Sequence, residues 1–263
     1  MKRLAVLGHP VAHSRSPAMQ NAALAELGLA GKWSYEAIDA PPEEFATRVA
    51  AMAGEGFVGA NVTVPHKAAA LALADTASET AREIGAANTL SFAGGEIHAE
   101  NTDAPGLLAA LPSSPQGRRA LVLGAGGAAR AVVWALVREG AAVGVWNRTV
   151  ARARDLCAEL GGEPVSTPDP TVYELIVNST AVGLHGEDPF AELPLPADGF
   201  AARQTVIDMV YGAEPTRLLV AAAAAGAYAV DGLEVLVQQG ARSLEIWTDL
   251  PAPLARMREA VRA

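Results

Sequence analysis

At 263 residues the chain is the size of one large or two compact domains, and two is the working count. Apolar residues make up 51% and charged residues 19%, enough to fill a core and too apolar for a disordered chain. The net charge of -9 excludes a general binder of nucleic acid or of an acidic membrane, because a polyanion needs a clustered cationic face.

Leu4 to Leu7 reads as a buried strand that breaks at Gly8-His9-Pro10, well short of a signal-peptide core. Ser16-Pro17 predicts an N-cap followed by proline at the first helical position, with Met19, Ala23, Leu24 and Leu27 at helical spacing up to Gly28. Trp33 to Ile38 reads as a strand, Pro42 to Met52 as a helix, and Gly59 to Val64 as a strand ending at Pro65. Two short runs between Asn88 and Glu100 flank Ala93-Gly94-Gly95 and predict a hairpin, so the first domain is expected to be mixed α/β. A short helix follows Thr102-Asp103, with Thr102 or Asp103 as a candidate cap, and Pro112 to Gly117 has linker composition.

A strand at Ala120 to Leu123, a glycine turn, a helix through Arg138, a strand at Ala142 to Val145 and a helix from Thr149 to Leu160 then predict a doubly wound Rossmann domain. Further strands are expected at Leu175 to Val177, Thr205 to Met209 and Tyr228 to Val230. Ala181 to Gly199 reads as a long loop able to cover a site. The most apolar run, Leu218 to Ala225, is too short for a membrane span. Cys157 is the only cysteine and the five histidines lack ligand spacing, so neither a disulfide nor a metal is expected, and a cytoplasmic location fits.

Gly124-Ala125-Gly126-Gly127-Ala128-Ala129 matches the dinucleotide fingerprint, and it sits between a strand and a helix, where that fingerprint carries meaning. The first glycine permits the turn, the second lets backbone approach a pyrophosphate, and the helix start offers N–H groups to it. An NAD site normally places a carboxylate after the second strand, where this chain has Trp146-Asn147-Arg148-Thr149. Arg148 and Arg152 can instead meet a 2′-phosphate in a forked, charge-assisted geometry, which points to NADP.

Polar residues gather at Ser14-Arg15-Ser16, Asn61 to Lys67, Asn88-Thr89 and Asn101-Thr102-Asp103, each at a predicted strand end or in the loop after it. In parallel sheets that edge binds ligands, and this mix of hydroxyls, amides and one carboxylate suits a small polyhydroxylated acid. Taken singly, such residues also serve as caps and turns. The lysines are Lys2, Lys32 and Lys67 in a chain that otherwise uses arginine, and lysine can exchange a proton where arginine cannot. Asp103 is the natural carboxylate to orient Lys67.

These residues together resemble the shikimate dehydrogenase family. The likeness runs through Gly8-His9-Pro10 with Ser14 and Ser16, Asn61 to Lys67, Gly85 to Thr89, Asn101-Thr102-Asp103, Gly124 to Ala128, Asn147-Arg148-Thr149 and Gln238-Gln239-Gly240. The resemblance implies a substrate domain over 1–103, an NADP-binding Rossmann domain over 104–232 and a C-terminal helical segment, 233–263, returning to the first domain. It implies reversible NADPH-dependent reduction of 3-dehydroshikimate to shikimate, in the biosynthesis of aromatic amino acids, with Lys67 and Asp103 as the catalytic pair.

By position, it assigns the substrate to Ser14, Ser16, Asn61, Thr63, Lys67, Asn88, Asp103, Tyr211 and Gln239. It assigns the cofactor to Gly124, Ala125, Gly126, Gly127, Ala128, Asn147, Arg148, Thr149 and Arg152, and more weakly to Glu79, Met209 and Gly232. Gln20 departs from the pattern, since many relatives have histidine there. The expected partner is a small molecule, with no nucleic acid or membrane, and a homodimer is allowed. Two other readings stay open: a quinate or shikimate dehydrogenase of broader specificity, and a non-catalytic metabolite-binding regulator on the same fold.

Overall fold

Apolar strands alternating with helices build two six-stranded sheets in the computed structural model, which describes residues 1–263. One unit comprises Met1–Gly106 and Leu236–Ala263, the other Leu107–Val235.

The first unit carries β1 (Lys2–Gly8), β2 (Trp33–Asp39), β3 (Phe57–Val62), β4 (Thr76–Ala77), β5 (Thr89–Ala93) and β6 (Glu96–Glu100) in the order β2-β1-β3-β5-β6-β4. Both β2 and β3 pair parallel to β1, whereas β5 runs antiparallel to β3 and β6 antiparallel to β5. The hairpin turns at Gly94 and Gly95, whose φ values of 62 and 86 suit residues without a Cβ. Its core gathers residues such as Leu7, Phe45, Met52, Phe57, Ala60 and Leu90, all nearly or fully buried. The helices are α1 (Ser16–Glu26), α2 (Phe45–Met52), α3 (Lys67–Leu73), α4 (Glu79–Ile84), the first turn of α5 (Asp103–Ala110), the later turns of α10 (Gly232–Thr248), and α11 (Leu254–Arg262).

The second unit orders β7 (Arg119–Leu123), β8 (Ala142–Trp146), β9 (Glu163–Pro164), β10 (Leu175–Asn178), β11 (Thr205–Asp208) and β12 (Tyr228–Asp231) as β12-β11-β10-β7-β8-β9, with every pairing parallel. That is a doubly wound sheet whose direction of progression switches between β7 and β10. Helices α6 (Gly127–Arg138), α7 (Val150–Leu160), the short α8 (Pro189–Glu192) and α9 (Arg217–Ala224) complete it.

Several local expectations are corrected. Ser16 does not cap α1; it is the first helical residue and Pro17 the second, while the Ser14 hydroxyl accepts from the Ser16 N–H at 3.3 Å. Neither Thr102 nor Asp103 caps α5, because Asn101 Oδ1 accepts from the N–H groups of Asp103 (3.0 Å) and Ala104 (3.2 Å). Helix α2 begins at Phe45, after a turn over 42–44, and β3 ends two residues before Val64. Ala181 to Gly199 is more than a covering loop. It contains α8, capped by Asp188, and buries Leu193 and Leu195 in the second core. Their side chains need shelter that a solvated loop would not give.

Candidate active site

Register explains why residues remote in sequence meet in the first unit. Asn61 lies opposite Thr89 on β5, Thr89 lies opposite Glu100 on β6, and so the end of β3, the start of β5 and the end of β6 share one sheet edge. The loop after β3 leads into α3, whose first residue is Lys67, and the chain after β6 leads into α5, whose first residue is Asp103.

Lys67 Nζ donates to Asp103 Oδ2 at 2.5 Å, and both side chains are largely withdrawn from solvent, 11% and 7% exposed. A pair this sheltered is screened little, but it needs further hydrogen bonds to offset the loss of water. Asn88 supplies one, its Nδ2 donating to Asp103 Oδ1 at 3.0 Å and to Gln239 Oε1 at 3.0 Å. Gln239 arrives on α10 because α5 lets it approach: a Cβ on Gly106 would lie 2.7 Å from the Gln239 backbone nitrogen. Its amide N–H is held by the Leu236 carbonyl at 2.8 Å, which fixes Oε1 toward Asn88.

Behind this row lies a second polar layer. Asn61 Nδ2 donates to Ser243 Oγ at 2.8 Å, Tyr35 OH donates to Asn61 Oδ1 at 2.7 Å, and Thr89 and Ser243 hydroxyls meet at 2.8 Å. Thr102 donates its backbone N–H to Asn88 Oδ1 at 2.7 Å. Thr89 and Thr102 belong to the polar clusters read from the sequence but were given no individual role at the site, whereas Tyr35 and Ser243 were not singled out at all. Ser243 stands one helical turn after Gln239, so its place on the same face was available from spacing alone. Tyr35 gave no such signal. Ser14 and Thr63 are half-buried and Ser16 is buried, all in loops or first turns next to β1 and β3, and none is hydrogen-bonded to the Lys67–Asp103 pair. Gln20 is buried on α1, its Nε2 donating to the Gly240 carbonyl at 2.9 Å while its Oε1 has no partner.

In the second unit the glycine turn connects β7 to α6. Gly124 has φ +114, and a Cβ there would lie 2.9 Å from Ser179 Oγ, so only glycine fits. Around Gly126, which is exposed, a Cβ would meet nothing within 4 Å. Gly126 caps α6 without a side chain, leaving the first N–H groups of the helix for an incoming anion. Gly127 and Ala128 form the first turn, and Ala125 is half-buried before it.

Beside the end of β8, Trp146, Asn147 and Arg148 line a cavity of about 400 Å³ together with Thr180, Val182 and His185. Asn147 Nδ2 donates to the Thr149 carbonyl at 2.9 Å, and Arg148, Thr149 and Arg152 are exposed, neither arginine being in a salt bridge. Cations without an anion, an uncapped helix start and open space at Gly126 fit a dinucleotide phosphate. Glu187 also lines this cavity, but backbone N–H groups, its own and that of His185 among them, already engage its carboxylate and hold it below the usual carboxylate range. Met209 and Gly232 lie in this unit, as does Tyr211, which was assigned to the substrate, whereas Glu79, assigned to the cofactor, lies on the first turn of α4. Cys157 is buried, and burial pushes its thiol up, away from the reactive thiolate.

Comparison with known proteins gives a consistent result. Family models match residues 6–90 as a shikimate dehydrogenase substrate binding domain, 108–181 as shikimate / quinate 5-dehydrogenase and 232–262 as a shikimate 5'-dehydrogenase C-terminal domain. A shikimate dehydrogenase (NADP(+)) of Thermus thermophilus is 47% identical over 100% of this chain and 98% of its own length. A crystal structure of shikimate 5-dehydrogenase from that organism, in complex with NADP(H) and shikimate, aligns with TM-score 0.90 and 45% identity over 100% of this chain and 99% of that one. The shikimate dehydrogenase structure from Aquifex aeolicus aligns with TM-score 0.93 and 38% identity, covering 100% and 98%.

Proposed function

The chain belongs to the shikimate dehydrogenase family, and from that premise we propose that Lys67 and Asp103 carry its chemistry. The reaction is the reversible reduction of 3-dehydroshikimate to shikimate with NADP as cofactor, a step toward aromatic amino acids. When bound, NADPH supplies the hydride that adds to the ring ketone carbon. Lys67, as ammonium, gives a proton from Nζ to the ketone oxygen as it gains negative charge; in reverse, neutral Nζ takes that proton from the shikimate hydroxyl. Asp103 keeps Nζ in one place and accepts from a substrate hydroxyl. Asn88 and Gln239 hold Asp103 in turn, and Ser14, Ser16, Asn61 and Thr63 supply further partners to hydroxyls and carboxylate. Backbone from Gly124 to Ala128 cradles the pyrophosphate, and Arg148 and Arg152, with Asn147 and Thr149, receive the 2′-phosphate.

The observation that carries this reading is the 2.5 Å contact of Lys67 with Asp103 among buried amides and hydroxyls. Purified protein given shikimate with NADP+, and separately with NAD+, tests it through the absorbance of the reduced nicotinamide. Reduction of NADP+ with shikimate is the expected result. Binding of shikimate without reduction would return the protein to the class of metabolite-binding regulators, and faster reduction of NAD+ or turnover of quinate would promote the broader-specificity enzyme. No helix is long and apolar enough to cross a membrane. A cytoplasmic location and a homodimer belong to the same proposal, the dimer tested by light scattering.

A further inference from the structure

Asp208 is a buried carboxylate at the carboxyl end of β11 that the reaction above does not use. Three donors converge on it: Asn178 Nδ2 at 2.9 Å and the Val210 N–H at 3.1 Å on Oδ1, and Thr216 Oγ1 at 2.6 Å on Oδ2. Asn178 stands opposite it in register at the end of β10, wholly buried. Asn178 Oδ1 in turn accepts from the Thr180 N–H at 3.1 Å and Oγ1 at 2.7 Å. The next link is Ser179, whose N–H and hydroxyl both donate to the Leu123 carbonyl, at 2.9 and 2.6 Å, immediately before the glycine turn. Ser179 Oγ is also the atom that a side chain at Gly124 would strike.

Hydrogen bonds thus run from Thr216 and Val210 through Asp208 and Asn178 to Thr180, and Ser179, covalently between Asn178 and Thr180, is bonded to the end of β7. They fix two loops at the carboxyl edge of the sheet: 179–182, which lines the cavity beside Arg148, and 209–216, which lines a second cavity of about 230 Å³ with Gly183 and Glu187. Ligands of doubly wound sheets bind outside that edge, next to the switch between β7 and β10. Burial pushes the Asp208 carboxyl up to about 6 despite its donors, so the residue is costly to keep ionised where a neutral side chain would tie the loops more cheaply.

We infer that Asp208 and Asn178 are a positioning pair that holds the 179–182 and 209–216 loops in the geometry that receives the dinucleotide. The pair acts on cofactor affinity and not on the proton-transfer step. The inference rests on the NADP reading above.

The test measures NADPH binding by nicotinamide fluorescence and shikimate binding by calorimetry, on the unmodified protein and on Asp208→Ala, Asn178→Ala, the double variant and Asp208→Asn. Each alanine variant is expected to weaken NADPH by about tenfold, the loss of one buried hydrogen bond, and to raise the NADP+ KM with little change in kcat. Shikimate affinity stays within about twofold, the double variant is no weaker than either single one, and Asp208→Asn, which keeps an acceptor, recovers most of the affinity. Unchanged NADPH affinity in Asp208→Ala, strictly additive losses, or a parallel fall in shikimate affinity would overturn the inference. If the alanine variants do not fold, Thr216→Val removes one donor alone and must still weaken NADPH and spare shikimate. An unmodified protein that fails to bind NADPH would instead bring down the cofactor reading itself.

Discussion

The two units hold their functional groups by opposite means. In the first, Lys67, Asp103, Asn88 and Gln239 are side chains sheltered from water and locked to one another. In the second, the groups proposed to meet the cofactor are backbone N–H at Gly126 and Gly127 and two exposed arginines that are in no salt bridge. A small polyol offers few atoms, so each must meet a fixed partner. A dinucleotide offers phosphates, which a helix start and a solvated cation can meet with less preparation. Substitutions are therefore expected to act through geometry and protonation in the first unit and through charge in the second.

The largest effect should follow from Lys67. Lys67→Met should lower turnover by about 10²- to 10⁴-fold with shikimate affinity little changed, since proton transfer is needed in the transition state. Lys67→Met also strands the sheltered Asp103 carboxylate, so Lys67→Arg sharpens the point: it restores a charge beside Asp103, and with it stability, but gives up no proton and should stay nearly as slow. Turnover within a few-fold of normal in either variant would make Lys67 a binding residue. Asp103→Asn should harm turnover and shikimate binding together, and a change in stability alone would break the assignment.

Replacing Arg148 and Arg152 by glutamine should weaken NADP(H) by about ten- to a hundred-fold while leaving NAD(H) nearly unchanged. The salt dependence of NADP binding should flatten as well. Equal losses for both cofactors would mean the arginines shape the fold, and the contrast between the units would fail on that side.

Asp208 is the second unit's exception, a buried group inside the charge-driven half. Its folded pKa, about 6, lies above the ordinary 3.8, so the folded state binds the proton more tightly than the unfolded chain. Its favourable contribution is complete below about pH 4 and is lost as pH rises through about 6, a change of up to about 3 kcal/mol. Asp208→Asn does not titrate, so its stability relative to the unmodified protein should climb between pH 4 and 7 in denaturant titrations. A flat difference would show that Asp208 ionises at its ordinary pH. The smallest effect is expected from Ser243→Ala, about 1 kcal/mol of stability, because Asn61 Nδ2 keeps weaker partners at 3.2 Å in Thr89 and the Asn88 carbonyl.

How much of this was legible depends on how far apart the partners are in sequence. The hairpin at Gly94-Gly95 and the turn at Gly124 announced themselves because glycine is needed locally. The doubly wound character of the second unit followed from alternation of strands and helices, whereas the two-residue β9 was too short to read. Caps were misplaced by one or two residues because Ser14, Ser16, Asn101, Thr102 and Asp103 all have the chemistry to cap, and only the path of the chain selects among them. Helices α3 and α4 went unread, being short and alanine-rich or broken by Gly85. Lys67 stood out by its rarity, and Asp103 by being the carboxylate near it. The bonds of Asn61 to Tyr35 and to Ser243, across 26 and 182 residues, leave no trace in any local pattern.

The first unit is also interrupted: its final stretch, Leu236–Ala263, follows the whole of the second unit in the chain. Synthesis proceeds from the amino end, so Asn61 and Asn88 leave the ribosome long before Ser243 and Gln239, the groups that accept their amide hydrogens. Until then Asn61 Nδ2 has only its longer bonds to Thr89 and the Asn88 carbonyl, Asn88 Nδ2 has only Thr102 and Asp103, and the nascent amino-terminal segment holds a polar interior one wall short. The second unit, being continuous, suffers no such wait. The first unit is therefore begun first and finished last, and a chain that stops short of Leu236 keeps Lys67 and Asp103 but lacks the turns of α10 that carry Gln239 and Ser243.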